Sequence, residues 1–224
     1  MASQTQDRGA VMITGASTGI GKACAMRLDR LGFQVFAGVR KDADGGALVE
    51  TASERLTPVL IDVTDDTSIA SAADTVAEAV GDQGLAGLVN NAGIVVPGPL
   101  EFLPLSDLRH HMEVNSIGQI AVTQAFLPLL RKCRGRIVNI GSIAGRAATP
   151  FVGAYAASKF AMEAFTDALR MELRPWGISV SIVEPGSIAT PIWDKDAATA
   201  DDFEKKLPKE AHDLYGPAMA ALRK

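Results

Sequence analysis

The chain is poor in cysteine, has no long apolar run and carries no excess of basic residues. Its two cysteines, Cys24 and Cys133, match no metal-ligand spacing, so we expect reduced thiols and no metal site. No stretch of about 18 apolar residues is present, which argues against a membrane-spanning helix. The formal net charge of -4, without a basic stripe, argues against nucleic acid as a partner.

The N-terminus shows no secretory signal, and the histidines show no sign of a metal site. The polar N-terminus MASQTQDRG lacks the apolar core of a secretory signal, so we expect a cytoplasmic protein. His110, His111 and His212 lie in polar, helix-like surroundings, and we interpret all three as surface residues. What is present is a globular composition, with 47% hydrophobic and 21% charged residues. Its 224 residues are within reach of one large domain, and we expect a single one over residues 1–224.

Short apolar runs alternate along the chain with helical patterns. Strands are predicted at residues 10–14, 34–40, 59–61, 85–89, 136–140 and 178–183. Helices are predicted from Ile20 to Leu31, over 47–56, from about Thr67 to Val80, over 105–131 and 153–174, and near the C-terminus. This alternation, without hairpin signals, predicts an α/β fold, a doubly wound parallel sheet of the Rossmann type. In such sheets ligands bind at the carboxyl ends of the strands.

A glycine-rich turn follows the first predicted strand and opens the first helix. Glycines there let the backbone approach a pyrophosphate, and the helix N-terminus offers N–H groups and a positive dipole end. The spacing is G-x3-G-x-G and not G-x-G-x-x-G, so an ordinary strand-to-helix turn is the alternative. The candidate cofactor-binding residues are Gly15, Ser17, Thr18, Gly19, Ile20 and Gly21.

The end of the second strand bears on the choice of cofactor. An acidic residue at this position would bind the adenosine ribose, but Arg40 stands here, followed by Lys41. A guanidinium suits a 2′-phosphate, which favours NADP(H) over NAD(H). Asp42 and Asp44 lie close enough to keep NAD(H) possible, and a solvated basic strand end is the alternative to both.

The next two strand ends supply further candidates for the same site. Asp62, with Val63, would meet the adenine edge of the cofactor or cap a turn. Asn90 is followed by Asn91, Ala92 and Gly93, small residues that would let the backbone pack closely against a cofactor.

The segment 137–159 carries the acid–base candidates. Ser142 follows the fifth strand, and Tyr155 and Lys159 lie four residues apart, on one face of a helix. Free tyrosine titrates at about 10, and a nearby cation lowers that pKa. Ser142 would hydrogen-bond the same substrate oxygen. The alternative interpretation is a surface Tyr–Lys pair.

Taken together these motifs resemble the short-chain dehydrogenase/reductase family over about residues 10 to 195. The matching pieces, in the order of the family, are Thr14-Gly15-x-x-x-Gly19-Ile20-Gly21, Asn90-Asn91-Ala92-Gly93, Asn115, Ser142, Tyr155-x-x-x-Lys159 and Pro185-Gly186.

The resemblance implies an enzyme and assigns roles. Tyr155 would be the general acid or base, Ser142 would orient the substrate oxygen, and Lys159 would hold the nicotinamide ribose and lower the Tyr155 pKa. Asn115 would keep a water in a proton relay to Lys159. In the segment that follows the sixth strand, four residues would contact the cofactor: Pro185, Gly186, Ile188 and Thr190. Thr190 is alternatively a loop residue before Pro191.

The C-terminal part departs from the family pattern, because members usually continue into a seventh strand. We therefore expect the last edge strand to be lacking, either because the chain is truncated or because that edge is absent. Residues 187–214 are expected to form a substrate lid, in which Ile192 and Trp193 line the pocket or only anchor the loop.

The leading functional hypothesis is hydride transfer between NADP(H) and a ketone, aldehyde or secondary alcohol. A dinucleotide-binding sensor or scaffold without turnover is the second, and a sugar-nucleotide epimerase or dehydratase the third. By analogy the helices at 105–131 and 153–174 would pair with their copies in a homodimer or homotetramer.

Overall fold

The computed structural model describes residues 8–188, 205 and 207–222. Its strands are β1 (Ala10–Ile13), β2 (Gln34–Val39), β3 (Leu56–Leu60), β4 (Gly87–Asn90), β5 (Arg136–Ile140) and β6 (Ser179–Val183). They form one sheet in the order β3-β2-β1-β4-β5-β6, and every pair is parallel. This is the doubly wound order, so the predicted fold class is confirmed.

Helices link successive strands. They are α1 (Gly19–Arg30), α2 (Asp42–Val49), α3 (Asp66–Val80), α4 (Leu105–Met112), α5 (Gly118–Cys133), α6 (Gly153–Glu172) and α7 (Lys209–Leu222). A π-helical turn (Glu113–Ile117) lies between α4 and α5, and 3₁₀ turns cover Gly81–Gln83, Ile143–Gly145 and Arg174–Trp176. Among these described helices none combines the length and apolar character needed to cross a membrane.

Strand β1 shows why helices cover both faces of the sheet. Its four residues are all buried, although successive side chains point to opposite faces. Ala10 and Met12 belong to a core cluster with residues of α3 and α5. Val11 and Ile13 belong to a second cluster with residues of α1 and α2. A continuous apolar strand therefore indicates a parallel sheet buried on both sides.

The register brings the carboxyl ends of neighbouring strands to one edge. The Cα partners there are Ile13 opposite Val89, Asn90 opposite Asn139, and Ile140 opposite Val183. The segments that follow therefore leave the sheet side by side: Thr14 after β1, Asn91 after β4, Ser142 after β5 and Pro185 after β6.

The predicted helix over residues 47–56 is wrong in position. Helix α2 begins at Asp42, and β3 already begins at Leu56. Asp42 and Asp44 lie in the first turn of α2, where carboxylates interact favourably with the positive end of the helix. Pro58 inside β3 is tolerated because β3 is an edge strand paired only with β2.

The predicted helix over 105–131 is divided. Helix α4 ends at Met112, and in the π-helical turn that follows the Gly118 N–H bonds to the Glu113 carbonyl. Asn115 lies inside this turn. Helix α5 then continues through Pro128 to Cys133. Single π-helical turns occur often at functional sites, so the position of Asn115 in such a turn is consistent with a functional role for its polar side chain.

At the other end of the sheet β6 pairs only with β5, and no seventh strand occurs among residues 8–188, 205 and 207–222. Most of the expected lid, residues 189–204, lies outside the described residues, and so do Ile192 and Trp193.

Candidate active site

The glycine-rich turn after β1 is shaped by backbone conformations that suit glycine. Gly15 and Gly19 have φ angles of +65° and +58°. A Cβ on Gly15 would lie 2.8 Å from the Ala92 Cα, and one on Gly21 would lie 2.3 Å from the Gly15 carbonyl oxygen. The glycines thus allow the turn, α1 and the segment after β4 to touch.

Thr14 and Asn91 join the first turn to the segment after β4. The Thr14 hydroxyl oxygen accepts hydrogen bonds from the backbone N–H groups of Asn91 (2.9 Å) and Ala92 (3.0 Å). In return the Asn91 side-chain amide donates to the carbonyls of Thr14 and Gly15, both at 3.0 Å. Gln119 on α5 donates to the Ala92 carbonyl at 2.9 Å. Asn91, Ala92 and Gly15 were predicted site residues, whereas the support from Gln119 was missed.

The N-terminus of α1 is suited to an anion. Thr18 is the N-cap residue, but its side chain makes no capping hydrogen bond, and the first turn contains no acidic residue. The N-cap and first-turn residues of α1 therefore do not compensate the positive end of the helix dipole. Ser17, Gly19 and Ile20 are half-buried here. A pyrophosphate fits this terminus in charge and in hydrogen-bonding capacity.

The candidate residues at the ends of β2 and β3 differ in their exposure and in their hydrogen bonds. Arg40 is exposed, with its charge close enough to act on Asp62. One Asp62 oxygen accepts hydrogen bonds from the Thr64 backbone N–H (2.9 Å) and hydroxyl (2.7 Å), so Asp62 caps a turn. These bonds, more than the charge of Arg40, lower the pKa of Asp62. Val63 is buried, and a Cβ on Gly118 would lie 2.2 Å from its carbonyl oxygen.

Asn115 ties the segment after β4 to helix α6. Its amide nitrogen donates to the Ile94 carbonyl (2.9 Å) and the Ser158 hydroxyl (3.0 Å), and its oxygen accepts from the Ile94 N–H (2.8 Å). The side chain is fully buried. Asn115 therefore bonds to the residue that follows Gly93 and to helix α6, which carries Tyr155 and Lys159.

Lys159 links the helix that carries Tyr155 to the end of β5, two residues before Ser142. The buried Lys159 ammonium donates to the Ile140 carbonyl at 2.7 Å, two residues before Ser142. The same nitrogen lies 5.7 Å from the centroid of the half-buried Tyr155 ring. The Ser142 hydroxyl oxygen accepts from the Ala144 N–H at 3.1 Å, which caps the short 3₁₀ turn.

Burial sets the charge state of Lys159. Desolvation lowers the pKa of this amine from 10.5 to about 8, because the charged form is taken out of water. At neutral pH the amine is still a cation. In general, a cation close to a phenol hydroxyl favours the phenolate form.

A model of the family described as short chain dehydrogenase matches residues 9–201. The chain belongs to the short-chain dehydrogenase family. A relative, 3-amino-tetrahydro-pyrrolizinone reductase from Xenorhabdus hominickii, is 42% identical over 93% of this chain and 71% of its own length. Retinol dehydrogenase 5 from Mus musculus is 42% identical over 93% of this chain and 66% of its own length. This short-chain dehydrogenase chain thus spans 66% to 71% of the length of these two relatives.

A solved structure has the same fold. It is a 3-ketoacyl-(acyl-carrier-protein) reductase from Brucella melitensis complexed with NADH, with a TM-score of 0.80 and 25% identity. The match covers 84% of the short-chain dehydrogenase chain and 79% of the reductase chain.

The segment after β6 meets the turn of Ser142 in this short-chain dehydrogenase. The Pro185 carbonyl accepts from the Ile143 N–H at 3.1 Å. A Cβ added to Gly186 would meet no atom within 4 Å, and Ile188 is exposed. Of these three predicted residues, Pro185 bonds to the Ser142 turn, and Gly186 and Ile188 follow Pro185 along the chain. Thr190 lies outside the described residues.

Arg146 connects three elements around that turn. Its guanidinium donates to Glu184, after β6, at 3.0 and 3.2 Å, and lies 3.0 Å from the Glu163 carboxylate on α6. Glu163 is buried, and desolvation raises its pKa. This network could not be predicted, because its members lie far apart along the chain.

The histidine prediction is wrong for one of three residues. His110 and His212 are exposed as expected, but His111 is fully buried. In sequence it stands beside a second histidine in a polar helix, which gives no sign of burial.

A groove of about 460 Å³ lies elsewhere, between α2 and β3, and is lined by none of the candidate site residues.

Proposed function

We propose that this chain transfers a hydride between NADP(H) and a ketone, aldehyde or secondary alcohol, with Tyr155 as general acid or base. One observation carries the proposal: the buried Lys159 cation is fixed to the Ile140 carbonyl, beside the Tyr155 ring and two residues from Ser142. Relatives named as a dehydrogenase and a reductase support the reaction class.

The chain's own residues would hold the cofactor at the carboxyl edge of the sheet. The first turn of α1 would bind the pyrophosphate, since it lacks an internal cap and an acidic residue. Lys159 has two ammonium hydrogens beyond the one donated to Ile140, and these would bind the nicotinamide ribose. The bound nicotinamide supplies or accepts the hydride.

In the reducing direction Tyr155 would donate its proton to the carbonyl oxygen as negative charge develops there. Ser142 would stabilise the same oxygen, because the Ala144 N–H occupies a lone pair of its hydroxyl and leaves its proton to be donated. In the oxidising direction Tyr155 would accept the proton. Positioned groups of this kind contribute on the order of 10²–10⁴ in rate.

Asn115 would serve the proton relay with its remaining capacity. Both hydrogens of its amide are already donated, to Ile94 and Ser158. A relay water would therefore donate to the Asn115 oxygen or bind its backbone. We propose that this water passes protons towards Lys159.

The test of the proposal uses both tyrosines of the chain. Purified wild type, Tyr155→Phe and Tyr215→Phe are assayed with NADPH and NADH against a panel of ketones, aldehydes and quinones. Tyr155→Phe is expected to lose about 10²-fold or more in kcat while still binding NADPH, whereas Tyr215→Phe is the matched control. Wild-type turnover by Tyr155→Phe would refute the acid–base role. NADPH binding without turnover on any carbonyl would select the sensor or scaffold hypothesis.

The cofactor preference rests on Arg40, which is exposed at the end of β2. Arg40→Ala is expected to raise the KM for NADPH about 10- to 100-fold, because a charge-assisted hydrogen bond contributes about 1.5–3 kcal/mol. The KM for NADH should change much less. Lys41→Ala, next along the chain, is the control for a general loss of positive charge. Equal losses for both cofactors would remove the 2′-phosphate argument.

A further inference from the structure

His111 holds a segment of backbone beside the candidate active site. Its Nε2 accepts a hydrogen bond from the Val96 N–H at 2.8 Å, and its Nδ1 lies 3.0 Å from the Asp107 carbonyl oxygen. A carbonyl oxygen only accepts, so Nδ1 carries the proton and Nε2 presents its lone pair. Both ring nitrogens are thus engaged, and the geometry requires the neutral ring.

The segment that His111 holds is 94–98, which directly follows Gly93. Asn115 fixes its first residue through both the N–H and the carbonyl of Ile94. At the other end the Gly98 N–H donates to the Phe151 carbonyl at 2.6 Å. Segment 94–98 therefore spans the distance from the candidate cofactor residues to Phe151, four residues before Tyr155.

We infer that His111 is a positioning residue that keeps segment 94–98 in place for the reaction only while its imidazole is neutral. The inference rests on the proposed function of the site. The hydrogen bonds described for His111 go to Val96 and Asp107, and none goes to an acid–base group or to the first turn of α1. Its effect is therefore expected on the carbonyl or alcohol substrate and on turnover, and less on the binding of the cofactor phosphates.

Protonation would remove the contact with Val96. A proton on Nε2 would face the Val96 N–H, so that two donors would oppose each other inside the protein. Burial lowers the pKa of His111 below 6.5, while the nearby Asp107 opposes this and His110 adds to it. These two residues, both on α4, are the groups of the described chain that act on the imidazole by charge.

The sign of the pH effect follows from that direction. Above about 6.5 the ring is neutral in both the ordered and the released segment, and the hold is complete. Below about 6.5 the released ring binds a proton more readily than the buried one, so acid favours release. Segment 94–98 should therefore lose order as the pH falls below about 6.5.

Two substitutions separate the hydrogen bond from the titration. His111→Gln places an amide oxygen near the position of Nε2, so it accepts from Val96 and does not titrate. His111→Leu has no acceptor and leaves the Val96 N–H unsatisfied, which costs about 1–3 kcal/mol. For each protein we compare kcat/KM for a carbonyl substrate at about pH 7, where Lys159 is still a cation, and at about pH 5.5.

Wild type is expected to lose kcat/KM at the lower pH, and His111→Gln is expected to show a ratio near one. His111→Leu should have kcat/KM about tenfold lower at both pH values, with the KM for NADPH changed about twofold or less. An acid-side loss in His111→Gln equal to that of wild type would overturn the inference. So would wild-type kcat/KM in His111→Leu.

A readout that needs no turnover keeps this test apart from that of the proposed function. Backbone hydrogen exchange of segment 94–98 is measured for wild type and His111→Gln across the same pH range, after correction for the intrinsic pH dependence of exchange. Protection that falls with pH in wild type alone supports the inference even if no carbonyl is reduced. Identical profiles in the two proteins would overturn it, whatever the enzymatic result.

Discussion

At the scale of single residues, Lys159 shows a conflict between stability and chemistry. The amine is buried against α6 and β5, and its one described hydrogen bond goes to the Ile140 carbonyl. A pKa lowered from 10.5 to about 8 means that the protonated amine costs the folded protein about 3 kcal/mol at neutral pH. The proposed role requires this charge, because only the cation favours the Tyr155 phenolate.

Lys159→Met should therefore stabilise the fold and abolish turnover. The lost hydrogen bond is worth about 1 kcal/mol, so the net gain is about 2 kcal/mol at pH 7. Below about pH 8 the amine is charged in both states and the gain is full. Between about 8 and 10.5 the folded amine loses its proton first, so the gain shrinks, and above 10.5 only the loss of the hydrogen bond, about 1 kcal/mol, remains. Denaturant unfolding at several pH values measures it, and a variant less stable than wild type at pH 7 would contradict the cost assigned to the buried charge.

At the level of single residues, the candidates that belong to a sequence motif could be predicted. The residues whose role depends on tertiary packing could not. Lys159 on α6 donates to the Ile140 carbonyl at the end of β5, two residues before Ser142, and the roles of these residues stay predictions. The burial of His111 and the bond from Gln119 to Ala92 could not be predicted, since both depend on contacts between distant segments.

At the scale of elements, the N-termini of α1 and α3 differ in a way that suits different tasks. Asp65 caps α3, where its carboxylate accepts from the N–H groups of Thr67 (2.8 Å) and Ser68 (3.2 Å). Thr18 makes no such side-chain bond at α1. An N-cap bond is typically worth about 1 kcal/mol, so α1 lacks stabilisation that α3 has. An anion binding at α1 would supply that interaction instead.

Thr18→Asp is expected to stabilise the free protein and to weaken cofactor binding. The new carboxylate would cap α1 and gain about 0.5–1 kcal/mol, but it would also repel the pyrophosphate. We expect the melting temperature to rise by about 1–4 °C and the Kd for NADPH to increase about tenfold or more. Thr18→Asn, which caps without charge, is the matched control. Unchanged NADPH affinity in Thr18→Asp would show that the pyrophosphate does not bind at this helix terminus.

Element boundaries were predicted less well than element types. The helix after β2 was placed too late because its first five residues include Asp42, Asp44 and two glycines, which are weak helix formers. The interruption of the helix around Asn115 has no simple sequence signal, because a π-helical turn depends on the partners that Ile94 and Ser158 provide. The parallel sheet with helices on both faces, by contrast, followed from the regular alternation of apolar runs and helices.

At the scale of the whole molecule, the described surface retains apolar side chains on α6. Phe160 is 45% exposed and Met171 is 71% exposed, and eleven positions at 100° each bring them to nearly the same face of the helix. Ile117, in the π-helical turn before α5, is 50% exposed. Exposed apolar residues on neighbouring helices are typical of interaction surfaces. They favour the expected pairing of these helices between copies of the chain.

We therefore expect the protein to form dimers or tetramers that depend on this face of α6. Met171→Glu lies near the end of α6, about three helical turns from Lys159, and places a charge on the proposed contact face, where an unpaired buried charge opposes association. In light scattering, wild type should have at least twice the mass of one chain, and Met171→Glu should shift towards the mass of a single chain. Leu31→Glu, at the end of α1 with 37% exposure, is the control and should leave the mass unchanged. A single-chain mass for wild type at every concentration would refute the pairing, and an equal shift in both variants would show that the contact lies on another face.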